Sequence, residues 1–169
     1  MAREEEQSLE EILQELLRLF PGSLDFAQTS AQALPEIVST LTTVATSVNL
    51  LSVNQLGGRI GPERSKGLVE QVVAAAFQTF GGEDPHPGPF EKAAMLLRGI
   101  TQGHPFSDGN KRTGFMVATY YLNQVGYPAP DTLPRQAIVD FCLRISAGDI
   151  RQVEEIARQL AMVWEHDLS

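Results

Sequence analysis

The feature that most constrains this chain is an eleven-residue run, His104-Pro-Phe-Ser-Asp-Gly-Asn-Lys-Arg-Thr-Gly114, set between two apolar segments of helical periodicity. Pro105 lacks a backbone donor and disfavours the α region for the residue before it, so the helix that reaches His104 ends there. Asp108-Gly109-Asn110 is turn chemistry. Phe115, Val117, Ala118, Tyr121, Leu122 and Val125 then recur at helical spacing, so a second helix opens near Asn110. A helix opening presents unpaired N–H groups and the positive end of its dipole, where an anion is favoured. Lys111 and Arg112 fall in that first turn, where a cation is unfavourable on its own account. Two of them there imply that a polyanion completes the site.

With 169 residues, 43% of them hydrophobic and 20% charged, the chain suits one soluble globular domain with a sizeable core and an N-terminal appendage. The formal charge of −8 repels nucleic acid and anionic membrane surfaces, while Arg59, Arg64, Lys66, Lys92, Arg98, Lys111 and Arg112 make the centre locally basic. A nucleotide fits that balance better than DNA. Cys142 is the only cysteine, which excludes an intrachain disulfide and a thiolate zinc cluster and makes the reducing cytoplasm the expected compartment. No signal peptide is visible, and no apolar run is long enough for a membrane span.

Ser8-Leu-Glu-Glu11 reads as a capping box, followed by Leu9, Ile12, Leu13, Leu16, Leu17 and Phe20 at helical spacing up to Pro21-Gly22. A second helix starts at Pro35, although its Thr and Val content leaves strand open for part of it. Residues 54–66 are a Gly-, Pro- and charge-rich loop, 67–80 an apolar helix, 81–89 irregular, and 90–103 the helix before the motif. Gly126-Tyr127-Pro128 ends the motif helix, Asp131 caps the next with Pro134 in its first turn, and Gly148-Asp149 precedes a last helix to Trp164. About seven helices and no sustained alternation predict an all-α fold with at most a short hairpin.

The motif resembles that of the Fic/Doc family, His-x-Phe-x-(Asp/Glu)-Gly-Asn-Gly-Arg and, past two further residues, a second Arg. His104, Phe106, Asp108, Gly109, Asn110 and Arg112 match it, while Lys111 replaces the Gly after the Asn and Phe115 stands at the second Arg. Both departures look like the Doc, or death-on-curing, branch. Weaker likeness runs from Gly57-Gly58-Arg59 to about Gly126-Tyr127, leaving residues 1–50 as an N-terminal helical extension of a domain over 51–169. The resemblance implies a Fic-type helical bundle with a small flap or hairpin beside the active-site loop, the flap falling on Gly81 to Pro89. It also implies transfer of the terminal phosphate of a nucleotide such as ATP to a protein hydroxyl, with elongation factor Tu the type of target. Fic-type transfer of AMP and a catalytically silent Fic-fold binding module are the alternatives.

In that reading His104, with an ordinary pKa of about 6.5, is the general base for an attacking hydroxyl. Asp108 holds Mg²⁺, which takes its other ligands from phosphate and water. Asn110, Lys111 and Arg112 contact phosphate oxygens, with the backbone around Gly109 closing the anion nest. Taken singly, each has a plainer reading: a helix-ending His, a turn Asp, a solvated basic helix start. Phe106 is expected as a buried pin, Phe115 and Cys142 as core, Trp164 as anchor of the last helix. Thr113 and Gly114 permit close helix packing, His86 has no role, and Lys92 either reaches toward the motif or stands solvated. The family's self-inhibiting pattern needs a Glu followed by Gly or Asn, and no such pair occurs. A separate antitoxin chain is therefore the expected restraint, and the N-terminal helices either cover its surface or enlarge the core and supply a homodimer contact.

Overall fold

Periodic apolar segments become helices in the computed structural model, which describes residues 8–22, 25–26, 32–56 and 67–165. Among the described residues there are seven helices and no strands: α1 (Ser8–Leu19), α2 (Leu34–Leu56), α3 (Leu68–Ala75), α4 (Pro89–Gly103), α5 (Asn110–Gln124), α6 (Arg135–Ser146) and α7 (Val153–Val163). The fold is all-α. None of these helices is long and apolar enough to cross a membrane.

The centre is the pair α4 and α5, which share the most extensive contact between helices. Gly114 makes it close: a Cβ there would lie 2.9 Å from Thr101 Oγ1 and 3.1 Å from the Leu97 carbonyl of α4. Any side chain at 114 would push a backbone away. Every residue from Thr113 to Leu122 is buried, so α5 is enclosed on all sides rather than on the single face its periodicity suggested. The enclosure comes from α1, α2 and α6 around α5, while α3, α6 and α7 pack on α4.

Leu9, Ile12, Leu13 and Leu16 of α1 are buried in the core that the motif helices share. At about 2 kcal/mol for each fully buried side chain, they anchor α1 firmly. Tyr120 of α5 donates its hydroxyl to the Phe20 carbonyl at 3.0 Å, and Glu10 Oε1 accepts the Leu133 N–H at 3.3 Å. These contacts give α1 the core-enlarging role. The Ser8 side chain, and with it the expected capping box, lies outside the described residues. In α2 the strand alternative fails: Thr42, Thr43 and Thr46 turn their hydroxyls back onto the carbonyls of Val38, Ser39 and Thr42, which accommodates Thr within a helix.

Two expectations are corrected around α3. The helix ends at Ala75 instead of reaching Phe80, because Ala76 and Phe77 close a tighter turn onto Val73 and Ala74. Phe80 then pairs with Glu83 in a small antiparallel bridge. Lys92 neither reaches the motif nor stands in solvent. It is 2% exposed, its Nζ lies 2.5 Å from Asp84 Oδ2 and 2.8 Å from the His86 carbonyl, and it sits over the Phe77 ring. Asp84 Oδ1 in turn accepts the His86 N–H at 2.9 Å. This clasp fastens residues 80–88 to the first turn of α4.

Burial opposes the charged form of Asp84, but the Lys92 ammonium and the His86 N–H outweigh it and hold the carboxyl below its ordinary value. A depressed pKa contributes stability above the unfolded-state value, about 3.9 for Asp, that is lost as pH falls through the folded one. Lys92→Met should therefore destabilise the protein by on the order of 3 kcal/mol at pH 7 in urea melts, since it leaves Asp84 without its cation. The gap between wild type and variant should narrow once the pH drops below about 4.

Candidate functional site

The motif loop is built between the C-terminus of α4 and the N-terminus of α5. As Pro105 dictates, α4 stops at Gly103, and His104 caps it in the left-handed region with φ 46° and ψ 55°. That conformation costs a non-glycine residue on the order of 1 kcal/mol and turns the imidazole outward, where it is exposed. Phe106 is buried beneath it, the pin expected of it.

Asn110 ties the loop together. Its Oδ1 accepts the Phe106 N–H at 3.0 Å and its Nδ2 donates to the Phe106 carbonyl at 2.9 Å, so one amide satisfies both polar groups of a buried residue. The same Nδ2 stands 3.5 Å from His104 Nδ1, a long contact that locates the ring without fixing its proton. Asn110 thus acts on the loop itself, in addition to any role toward phosphate. Asp108 is exposed, with Oδ1 accepting the Gly109 N–H at 2.8 Å. Gly109 is the N-cap of α5 at φ 75°, a conformation glycine adopts without penalty, and no side chain caps the helix. The first-turn N–H groups of α5 therefore have no capping side chain, with half-buried Lys111 and Arg112 beside them.

One contributor was not foreseen. Asn49 of α2, 5% exposed, donates from Nδ2 to the Asp108 carbonyl at 2.6 Å and to Thr113 Oγ1 at 3.3 Å. The sequence signal was a polar residue next to Val48 in the apolar register Leu41, Val44, Val48.

The flap assignment is corrected. The Phe80–Glu83 hairpin is fastened to the first turn of α4, whereas His104 follows its last residue, a helix length of about 20 Å away at 1.5 Å per residue. Asn49 of α2 reaches the motif loop, and Val72 of α3 lies against Gly99 and Gly103 of α4. Residues 57–66 themselves lie outside the described residues.

Beyond the first turn of α5 opens a cavity of about 210 Å³ lined by Leu9, Lys111, Arg112, Phe115, Arg135, Ile138, Val139, Cys142 and Leu143. Phe115 is wholly buried and forms part of its apolar wall. Burial pushes the Cys142 thiol up to about 12, against the opposing pull of the Lys111 charge, so this cysteine is no nucleophile. For a cation, Asp108 offers one exposed carboxylate, and no group of three or more His, Cys, Asp or Glu side chains gathers among the described residues. Such a donor set fits Mg²⁺, which binds through one or two carboxylates plus phosphate oxygens and water.

Asn110→Ala should leave the two Phe106 backbone groups unpaired and cost on the order of 2 kcal/mol of stability in thermal melts. Asn49→Ala should cost on the order of 1 kcal/mol, releasing the Asp108 carbonyl, and should loosen the loop as read by faster amide exchange at Gly109 and Asn110.

The Fic/DOC family model matches residues 28–122, more than half of the chain and inclusive of the whole motif loop. Toxin Doc of Mycolicibacterium smegmatis is 31% identical over 98 residues, which are 58% of this chain and 75% of that protein. A Fido domain-containing protein of Dictyostelium discoideum is 34% identical over 65 residues, which are 37% of this chain and 46% of that protein. With the helical bundle and the His104-to-Arg112 loop in place, the chain belongs to the Fic/DOC family, on its Doc branch.

Proposed function

We propose that this protein moves the terminal phosphate of ATP, or of another nucleoside triphosphate, to a hydroxyl of a target protein. The observation that carries the reading is the start of α5, a helix N-terminus without a capping side chain and with Lys111 and Arg112 in its first turn, next to the exposed imidazole of His104. In this reading the hydroxyl oxygen attacks the γ-phosphorus as its proton passes to His104. The bond from phosphorus to the bridging oxygen breaks, and ADP leaves. Asn110, Lys111, Arg112 and the N–H groups of the first turn hold the phosphates and meet the charge that grows on the leaving oxygen. Asp108 would hold Mg²⁺, which would supply further charge neutralisation.

Lys111, at the position of a Gly in the AMP-transferring form of the motif, and Phe115, at that of its second Arg, favour phosphate over nucleotidyl transfer. Lys111 fills space and adds charge where a phosphate would otherwise lie on bare backbone. The likeness to Toxin Doc supports a toxin reading with a separate antitoxin chain as restraint; elongation factor Tu as the type of target and the cytoplasm as the compartment belong to the same proposal through the motif's Doc-like departures alone.

The test is intact-mass measurement of elongation factor Tu and of a cytosolic extract after incubation with the protein, Mg²⁺ and ATP. A gain of one phosphate is expected, with the rate falling by about 10²- to 10⁴-fold in His104→Ala. A gain of AMP would instead establish nucleotidyl transfer, and no modification of any protein would overturn the enzymatic reading.

A further inference from the structure

Two side-chain amides hold the loop of residues 104–109. Asn110, within the motif, takes its first half by bonding both polar groups of the buried Phe106. Asn49, from outside the motif, takes the second half. Its Nδ2 donates to the Asp108 carbonyl at 2.6 Å and to Thr113 Oγ1 at 3.3 Å, so a single amide spans the junction between the loop and α5. Thr113 is wholly buried, and its N–H bonds the Gly109 carbonyl at 2.9 Å. Asn49 stands on equally firm ground, since Leu41, Val44, Ala45 and Val48 of the same helix are buried in the shared core. Burying an amide beside Val48 is unfavourable unless its groups are bonded, and what bonds it is the motif. The Asp108 side chain, by contrast, is exposed. Its Oδ1 accepts the N–H of the adjacent Gly109, and its Oδ2 has no hydrogen bond among the described residues.

We propose that Asn49 is a positioning residue of this site: through the Asp108 main chain it fixes where Oδ2 of that carboxylate stands beside the start of α5, ready for the divalent cation that accompanies a nucleotide. The inference rests on the reading of Asp108 as the cation's carboxylate and adds to it a residue of α2 that precedes Asp108 by 59 positions. A single exposed carboxylate is a weak ligand when its main chain can swing, because the swing is lost on binding. With the Asp108 carbonyl held by Asn49 and Oδ1 held by the Gly109 N–H, little freedom is left for the cation to remove. Asn49 itself touches neither cation nor phosphate in this arrangement; it acts through Asp108. Groups that orient a metal-binding carboxylate in this way typically change metal affinity by about 10- to 100-fold when they are lost.

The experiment is an NMR titration of the full chain with Mn²⁺ in the presence of ADP, following the paramagnetic broadening of the Gly109 and Asn110 amide signals. It compares wild type, Asn49→Leu and Asn49→Ala, with Asp108→Asn as the reference for a lost carboxylate. Leu has nearly the shape of Asn and suits the apolar register, and water can serve the carbonyl of exposed Asp108, so Asn49→Leu should melt close to wild type. Ala is smaller and equally lacks the donor. In wild type the two signals should broaden saturably, and in Asp108→Asn they should not. Both Asn49 variants should need about tenfold more Mn²⁺, or more, for half-saturation. The same half-saturating concentration in wild type and both variants overturns the inference and leaves the reading of Asp108 standing. A loss in only one of the two variants also overturns it, because the effect then follows side-chain size and not the donor. Wild-type signals that Mn²⁺ leaves unbroadened, or broadening that persists in Asp108→Asn, remove the reading of Asp108 and the inference with it.

Discussion

The close crossing of α4 and α5 at Gly114 is the constraint on which the remaining structure depends. Because the Leu97 carbonyl and Thr101 leave no room for a Cβ, the two helices meet backbone to backbone, and the six residues joining them, 104–109, are fixed at both ends. The loop can then be held by a few side-chain amides. Asn110 satisfies both polar groups of Phe106 from within, and Asn49 reaches in from α2 to fix the Asp108 carbonyl. An exposed imidazole, a carboxylate and a helix N-terminus are thereby placed by packing and side-chain hydrogen bonds.

Electrostatics then divides the molecule. Most charged groups follow the ordinary logic of solvated surfaces and helix ends, including the acidic first turns of five helices. One buried pair departs from it at the far end of α4, where Lys92 and Asp84 lock a hairpin in place. A second departure is the cavity by α5, which Lys111, Arg112 and Arg135 line. The first is structural, because its charges neutralise each other at 2.5 Å beneath the hairpin.

Much of this was legible in the chain. Pro105 predicts the end of α4, Asp108-Gly109-Asn110 the turn, and the spacing of apolar residues the helices, because each depends on local backbone physics. The motif residues His104 to Arg112 are contiguous, so their proximity followed from the run itself. What escaped were contacts across the fold. Asn49 lies 59 residues from Asp108, and a lone Asn in an apolar helix reads equally as exposed. Nothing local says that α6 packs beside α5 and brings Arg135 to the cavity by Lys111 and Arg112. Residues 81–89 were given a place beside the motif by resemblance, and a run of Gly and Pro residues does not say which end of α4 it occupies. Lys92 was misread for a related reason: nothing local announces that a lysine in a first turn will be sealed under a hairpin.

The central pair is closed from both directions along the chain. The Tyr120 hydroxyl bonds to Phe20, Glu10 bonds to Leu133, and α7 packs on α4 from beyond the motif. Contacts spanning 100 and 123 residues mean that little of the core can be sealed while the chain is emerging from the ribosome. The motif helices leave the ribosome before α6 and α7 exist to cover them, so the reactive loop gains its bracing late in synthesis. The bracing of the loop is accordingly complete only when the fold is, and a chain stalled before α7 would present an uncovered apolar face of α4 for chaperones.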